Sequence, residues 1–222
     1  LFWMVPNHSL PFPRPNDFMK TCSATHRISF LVSFLLSCLT TFGQKFPGSD
    51  DWPWWRGPTV DGVAAPGQKP PTAWSATRNV LWKVPVSGRG HGTPTVVGNQ
   101  VVLCTADERK EIQSVLCYDR NSGRLLWKTE VHRGKFMRRN KKASQASGSL
   151  ACDGERFYVN FANGGGAHTT ALDRNGKIVW QTKVTDYVVH QAYGSSPAIY
   201  KNLVLVTADN KKAGVVAALD RA

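Results

Sequence analysis

Residues 170–180 read Thr-Ala-Leu-Asp-Arg-Asn-Gly-Lys-Ile-Val-Trp, and residues 116–127 read Leu-Cys-Tyr-Asp-Arg-Asn-Ser-Gly-Arg-Leu-Leu-Trp. Both stretches have an Asp at the end of an apolar run, then a Gly, and then a Trp four residues after that Gly. The Asp can accept hydrogen bonds from backbone N–H groups two residues on, and the Gly supplies the positive φ of a tight turn. Each stretch therefore predicts two β-strands joined by a tight turn, with the Trp on the second strand.

The same pattern recurs along the chain at a period near 50 residues. Asp119 and Asp173 are 54 residues apart, and Asp173 and Asp220 are 47 residues apart. Each Asp turn is preceded by a hairpin pattern, two β-rich runs joined by a Gly, Asn or Asp turn, at 93–103, 148–159 and 196–206. Four strands in a period of about 50 residues match the strand number and length of one β-propeller blade. We therefore predict an all-β chain, a partial β-propeller of four-stranded antiparallel blades with about three blades present and the ring not closed.

A tryptophan occupies one equivalent position in each repeat. A buried Trp removes roughly 200 Å² from water, which is on the order of 5 kcal/mol as an upper bound. Recurrence once per repeat favours packing between neighbouring blades over a cofactor role. We expect these tryptophans and the residues of the Asp turns to be structural, blade-docking residues: Trp82, Asp119, Gly123, Trp127, Asp173, Gly176, Trp180 and Asp220.

These segments resemble the tryptophan-docking motif of the pyrroloquinoline-quinone-type (PQQ-like) propeller repeat, which reads Ala, any residue, Asp, three residues, Gly-Lys, two residues, Trp. In the first segment Cys117 stands for the Ala and Arg124 for the Lys. The second segment keeps Ala171, Gly176 and Lys177, but its turn is one residue shorter. The resemblance predicts the fold of the repeat and leaves its activity open.

The resemblance covers about residues 50–222. Together with the preceding stretch Trp52–Pro58, this part of the chain is similar to secreted PQQ-like propeller proteins of planctomycete-type bacteria. Propellers of this family have about seven or eight blades, and three blades leave open edges. The resemblance therefore implies that the sequence is the N-terminal fragment of a longer protein, with the repeats at 81–222.

The first 80 residues divide into three segments. Residues 1–18 are Pro-rich and are interpreted as an over-extended N-terminus. Residues 19–43 carry Lys20 and Arg27 followed by an apolar run, which is typical of a signal peptide. Residues 44–80 form an irregular Trp/Pro-rich lead-in that we expect to pack against the propeller, with a ligand-stacking platform as the alternative.

The signal peptide predicts an exported protein in the periplasm, the cell envelope or the extracellular medium. A lipid anchor at Cys38 is an alternative, because Leu35-Leu36-Ser37-Cys38 resembles a bacterial lipobox. No apolar run reaches the roughly 18 residues of a membrane span, so we expect no transmembrane segment. Export permits disulfides, but Cys104, Cys117 and Cys152 have no diagnostic spacing and are expected to be core residues.

The chain is basic, with 28 Lys and Arg against 15 Asp and Glu and a formal charge of +13. Part of this excess lies in one run without an acid: Arg133, Lys135, Arg138, Arg139, Lys141 and Lys142. The run falls between two blades and is interpreted as a possible polyanion-binding loop, with a solvated loop as the alternative. Phe136 is the one aromatic residue of the run, so stacking of nucleic-acid bases is not expected. An acidic polysaccharide or an anionic lipid suits an exported protein better.

We predict a non-catalytic binding or scaffold protein with a protein or polysaccharide partner. The alternative is a quinoprotein dehydrogenase, for which the resemblance implies PQQ and Ca²⁺ at the propeller axis and an Asp base. Calcium needs several hard oxygen ligands, and no acidic cluster stands out in the sequence. The sequence thus leans against an enzyme without deciding the point. His91 and His190 precede the first strands of two repeats and are predicted to lie on one face near the axis.

Overall fold

The computed structural model describes residues 2–4, 46–211 and 213–222, which belong to one compact unit. The predicted signal peptide at 19–43 and the lipid-anchor candidate Cys38 lie outside these residues. Regular secondary structure within the described residues consists of strands. They are β1 Phe2–Met4, β2 Trp82–Val84, β3 Thr95–Val97, β4 Gln100–Asp107, β5 Ile112–Asp119, β6 Leu125–Arg133, β7 Ala151–Cys152, β8 Arg156–Asn163, β9 Gly166–Asp173, β10 Ile178–Asp186, β11 Ala198–Tyr200, β12 Leu203–Ala208 and β13 Val215–Asp220.

The strands form three consecutive antiparallel sheets, each built from one sequence repeat. The first sheet has the order β3-β4-β5-β6, the second β7-β8-β9-β10 and the third β11-β12-β13, while β1 pairs with β2 separately. Neighbouring sheets contact each other through their first strands β3, β7 and β11. The prediction of an all-β partial propeller is confirmed, and the three sheets do not close a ring within the part of the chain that the structure describes.

Burial follows the position of each strand in its sheet. The middle strands β4, β5 and β8 are buried along almost their whole length because both of their faces are covered. The second sheet lies between the other two, and the outer face of the first sheet is covered by Trp82, Val84 and Val86. The outer strands β6 and β10 are largely exposed or half-buried. This explains why the middle strands are near-continuous apolar runs.

A cluster of buried residues joins the first sheet to the second and includes all three cysteines of the described residues. Cys104 and Cys117 come from the first sheet and Cys152 from the second, and each is a free thiol. They pack with aromatic and aliphatic residues such as Phe157 and Val159. The cysteines are core residues, as the sequence predicts.

The described part of the lead-in, from residue 46 onward, packs on the first two sheets. The backbone of Trp52 pairs with that of Val96 on β3, and the Pro53 carbonyl accepts a hydrogen bond from Cys152 N–H at 2.8 Å. Trp55 and Trp74, in contrast, are 53% and 68% exposed. The lead-in therefore bridges the first and second sheets through two neighbouring residues, while two of its tryptophans remain at the surface.

The segments before the first strands pack backbone against backbone. A Cβ at Gly92 would lie 2.2 Å from the Gly148 carbonyl oxygen, so only glycine fits there. Thr93 N–H donates to Ser149 Oγ at 2.8 Å, and Ser149 N–H donates to Ser196 Oγ at 2.9 Å. One hydroxyl per repeat thus receives a hydrogen bond from the preceding repeat, which sets the spacing of the sheets at their inner edge.

Candidate functional site

The repeated tryptophans contact the Asp turns of the following sheet. Trp82 Nε1 donates to the Arg120 carbonyl at 2.8 Å, and Trp127 Nε1 donates to the Arg174 carbonyl at 3.1 Å. A Cβ on Gly123 would lie 2.6 Å from the Trp82 ring, and one on Gly176 would lie 2.6 Å from the Trp127 ring. Each indole therefore covers a glycine of the next repeat and bonds to the carbonyl beside the turn Asp.

The Asp residues close these turns through their carboxylates. Asp119 Oδ1 accepts the backbone N–H groups of Asn121 and Ser122, and Asp173 Oδ1 accepts those of Asn175 and Lys177. The hydrogen bonds from Ser122 are the main cause that lowers the pKa of Asp119. These carboxylates are turn elements, which leaves them little freedom for chemistry with a ligand.

The third tryptophan has different surroundings. Trp180 packs on Tyr158, with ring centroids 5.9 Å apart, and its Nε1 is buried without a hydrogen-bond partner among the described residues. The Arg221 carbonyl, equivalent in sequence to those of Arg120 and Arg174, accepts from Tyr158 Oη at 3.2 Å and also from Arg156. Trp180 therefore does not make the indole–carbonyl bond of the other two.

The predicted basic run begins with Arg133, the last residue of β6, and continues into a loop, residues 134–150, that leads to β7. The neighbouring turn of the second sheet holds its beginning: Gly164 N–H donates to the Lys135 carbonyl at 3.0 Å, and Asn163 Nδ2 donates to the Gly134 carbonyl at 2.9 Å. Its middle is held by Asn140 N–H, which donates to the Gln191 carbonyl at 2.6 Å. The loop is thus fixed by hydrogen bonds to the segments around it.

Two of the six basic side chains are neutralised. Arg133 forms an ion pair with Glu130 on its own strand, and Arg139 forms one with Glu108 in the turn between β4 and β5. The other four are exposed and have no ion pair with a described residue: Lys135, Arg138, Lys141 and Lys142. We call these four residues the basic patch.

Arg89 is a further basic residue at this loop, and sequence reasoning missed it. Its Nη1 and Nη2 donate to the carbonyls of Lys141 and Lys142, each at 3.3 Å. Arg89 lies 52 residues before Lys141, so their proximity follows from the packing of one repeat on the next. It adds a fifth positive charge beside the four of the basic patch and holds the backbone from which two of its lysines extend.

The two histidines of the predicted axial face lie in corresponding segments of two repeats, and their placement on one face stays a prediction. His91 and His190 lie in the segments before β3 and β11, and both are exposed. His91 is held through its backbone N–H, which donates to the Ala146 carbonyl at 2.9 Å. None of the hydrogen bonds, ion pairs and ring contacts found in the described ranges joins the two imidazoles.

A cleft of about 300 Å³ lies away from the basic patch, between the lead-in and the first sheet. Its lining includes Asp50, Asp51, Lys69 and Arg120. Asp51 is already used there, because its carboxylate accepts the backbone N–H groups of Gly48 and Gly98 at 2.8 and 2.7 Å. Part of the cleft lining therefore serves to hold the lead-in against the first sheet.

Comparison with known proteins gives the following matches. Residues 111–222 match the family model described as outer membrane protein assembly factor BamB. Among solved structures, the chain is similar to a europium-containing methanol dehydrogenase (21% identity, TM-score 0.44, covering 60% of this chain and 23% of that one). It is also similar to BamB from Moraxella catarrhalis (16% identity, TM-score 0.45, 64% and 41%). A third is the quinohemoprotein alcohol dehydrogenase from Comamonas testosteroni (19% identity, TM-score 0.44, 60% and 19%).

The chain spans less than half the length of each of these three structures. No significant match was found among curated proteins. No helix of the described residues is long and apolar enough to cross a membrane.

Proposed function

The chain belongs to the PQQ-like repeat family of outer membrane protein assembly factor BamB, and from this premise we propose that it is an exported, non-catalytic binding protein. Its contact surface is the basic patch, and its partner is a protein with an acidic surface. The name of the family model, an assembly factor, favours a protein partner. The segment 19–43, with its basic start and apolar run, supports export.

A single observation carries this proposal: four exposed, unneutralised cations extend from a loop that hydrogen bonds hold in place. Lys135, Arg138, Lys141 and Lys142 attract an acidic surface over about one Debye length, roughly 8 Å at physiological ionic strength. Because the loop backbone is already fixed by Asn163, Gln191 and other neighbours, binding requires little ordering of the chain. A cluster of like charges without a partner also destabilises the free protein, which an acidic ligand would relieve.

The patch is tested by removing its charge. A variant with the four patch residues changed to Gln is compared with one in which four exposed cations elsewhere are changed to Gln: Arg124, Lys128, Lys177 and Lys201. Both variants lose the same charge, so they separate a local effect from one of net charge. The probes are a polyglutamate peptide and heparin, an acidic polypeptide and an acidic polysaccharide, titrated at several salt concentrations.

We expect the patch variant to bind polyglutamate at least tenfold more weakly than wild type, with a flatter salt dependence, and the control variant to change little. Equal weakening in both variants would reduce the effect to net charge and contradict the proposal. Binding of heparin alone, lost in the patch variant, would replace the protein partner by an acidic polysaccharide. Unchanged binding in both variants would show that the patch is a solvated loop.

The quinoprotein alternative needs residues that hold PQQ and Ca²⁺, and the described residues do not fit this group. The carboxylates of Asp119 and Asp173 already accept hydrogen bonds from backbone N–H groups of their own turns. Within residues 46–211 and 213–222, no three His, Cys, Asp or Glu side chains gather in a metal-binding cluster. We therefore derive no step through the quinone. Calorimetric titration of the folded protein with PQQ in the presence of Ca²⁺ tests this alternative, and saturable binding would support it.

A further inference from the structure

Two histidines from neighbouring sheets lie side by side, and neither is among the residues that sequence reasoning selected. His132 is on β6 of the first sheet and His168 is on β9 of the second. Their ring centroids are 5.0 Å apart and their ring planes are inclined by 58°. Phe161 meets His132 edge-on, with ring centroids 6.0 Å apart, which limits the rotation of that imidazole.

One nitrogen of each ring is left without a partner. His132 Nε2 and His168 Nδ1 are both shielded from solvent, and neither forms a hydrogen bond with another described residue. A buried polar atom without a partner costs about 1–3 kcal/mol, and such atoms are rare in folded proteins. Two such atoms on adjacent rings indicate a site in which a bound ligand supplies the missing partner.

Burial disfavours the charged form of both imidazoles. Burial lowers the pKa of His132 to about 4, and the neighbouring His168 contributes in the same direction. Burial also lowers the pKa of His168; a hydrogen bond with the Gly166 backbone opposes this shift and the charge of Lys183 adds to it. Lys183 itself forms an ion pair with Asp186 at 2.5 Å.

We propose that His132 and His168 form a binding site for a divalent cation of the late first transition series, Zn²⁺, Ni²⁺ or Cu²⁺, between the first two sheets. These ions prefer imidazole nitrogen, whereas Ca²⁺ and Mg²⁺ prefer oxygen ligands. A tetrahedral zinc ion 2.0–2.1 Å from one nitrogen of each ring holds the two ring centroids roughly 5 Å apart, which agrees with the observed 5.0 Å.

The site supplies two protein ligands and leaves the other positions to water. In the described ranges no third His, Cys, Asp or Glu joins the pair in a metal-binding cluster. Because one ligand comes from each of two sheets, a bound ion links neighbouring repeats and stabilises the folded chain by mass action. This site shares no residue with the basic patch and does not depend on the proposed function.

The site is tested by calorimetric titration of the untagged full-length protein with ZnCl₂, NiCl₂ and CuCl₂. We expect one ion per chain, with Cu²⁺ bound most tightly, and no competition from excess CaCl₂. His132→Phe and His168→Phe remove one ligand each and retain an aromatic ring, so each is expected to weaken binding at least tenfold. The matched control is His91→Phe, an exposed histidine in another segment, which is expected to bind as wild type does.

The absence of binding by wild type would overturn the proposal, and so would an affinity for Zn²⁺ that is the same in His132→Phe. Loss of binding in His91→Phe alone would assign the ion to a surface histidine and overturn it as well. An independent measurement needs no variant: the electron paramagnetic resonance spectrum of the Cu²⁺-loaded wild type is expected to show coupling to two imidazole nitrogens. A spectrum without nitrogen coupling would contradict the site even if the variants fail to fold.

Discussion

The indole nitrogen of Trp127 donates a hydrogen bond to the carbonyl oxygen of Arg174, which belongs to the next sheet and lies 47 residues later in the chain. The ring also covers Gly176 and packs on Phe157, with ring centroids 6.2 Å apart. One side chain therefore joins the last strand of one repeat to both the turn and the core of the next. Trp82 makes the corresponding hydrogen bond one repeat earlier.

This relationship predicts that Trp127→Ala destabilises the protein strongly. The change removes a large packed ring and one of the two donors to the Arg174 carbonyl, the other being Gln100 Nε2. We therefore expect the free energy of unfolding to fall by about 3 kcal/mol. Urea unfolding followed by circular dichroism measures the loss. Trp74→Ala is the control, because Trp74 is 68% exposed and its removal is expected to change stability by less than about 0.5 kcal/mol. Equal effects of the two changes would contradict the docking role that we propose for Trp127.

Gly176 provides a second test of the same contact. It has a φ of +84°, and an added Cβ would lie 2.6 Å from the Trp127 ring. Gly165 has a similar φ of +78°, but nothing lies within 4 Å of an added Cβ. Gly165→Ala therefore introduces only backbone strain, about 1 kcal/mol, whereas Gly176→Ala also displaces the indole. We expect Gly176→Ala to lower the free energy of unfolding by clearly more than Gly165→Ala, and equal losses would show that the indole moves aside freely.

The sequence pattern that predicts these contacts has local determinants. The Asp, the Gly and the Trp lie within twelve residues of each other. The Asp accepts hydrogen bonds in the turn, the Gly takes the positive φ, and the Trp packs on the next unit. Repetition at about 50 residues then showed that the fourth strand of each unit faces another unit. The exception was Trp180, whose Nε1 has no partner among the described residues. The carbonyl that corresponds to those of Arg120 and Arg174 belongs to Arg221, and it accepts from Tyr158 and Arg156 instead.

The pairing of His132 with His168 could not be predicted in this way. The two residues occupy different strand positions in their repeats, so no repeat of the pattern marks them. Their proximity depends on how the outer strand of one sheet lies over a middle strand of the next. Arg89 escaped notice for the same reason, since its contact with the basic loop crosses a repeat boundary. Sequence reasoning found the contacts between units that a recurring pattern marks and missed those that no recurring pattern marks.

Asp119 predicts an acid-sensitive contribution to stability. Hydrogen bonds from Ser122 lower the pKa of Asp119 below the ordinary 3.8. The unfolded chain therefore binds this proton more readily than the folded chain does, and the stabilisation that is present above pH 3.8 is lost as the pH falls through the folded-state pKa. We expect Asp119→Asn to be less stable than wild type at pH 7, with a difference that narrows as the pH falls towards 3. Urea unfolding at a series of pH values measures it, and a difference independent of pH would contradict the role of the carboxylate.

Cys104 is predicted to be chemically inert in the folded protein. Its thiol donates to the Gly148 carbonyl at 2.8 Å, and burial raises its pKa to about 12. At pH 8 only about one thiol in ten thousand is then ionised, and the thiolate is the form that reacts. We expect iodoacetamide to leave Cys104 unmodified in the native protein and to label it fully in urea, as judged by mass spectrometry of its peptide. Burial also raises the pKa of Cys117 and of Cys152 to about 12. We expect these two thiols likewise to stay unmodified in the native protein and to be labelled in urea. Rapid native labelling of Cys104 alone would show that the contact between the first two sheets opens readily, because Gly148 belongs to the segment that leads into the second sheet.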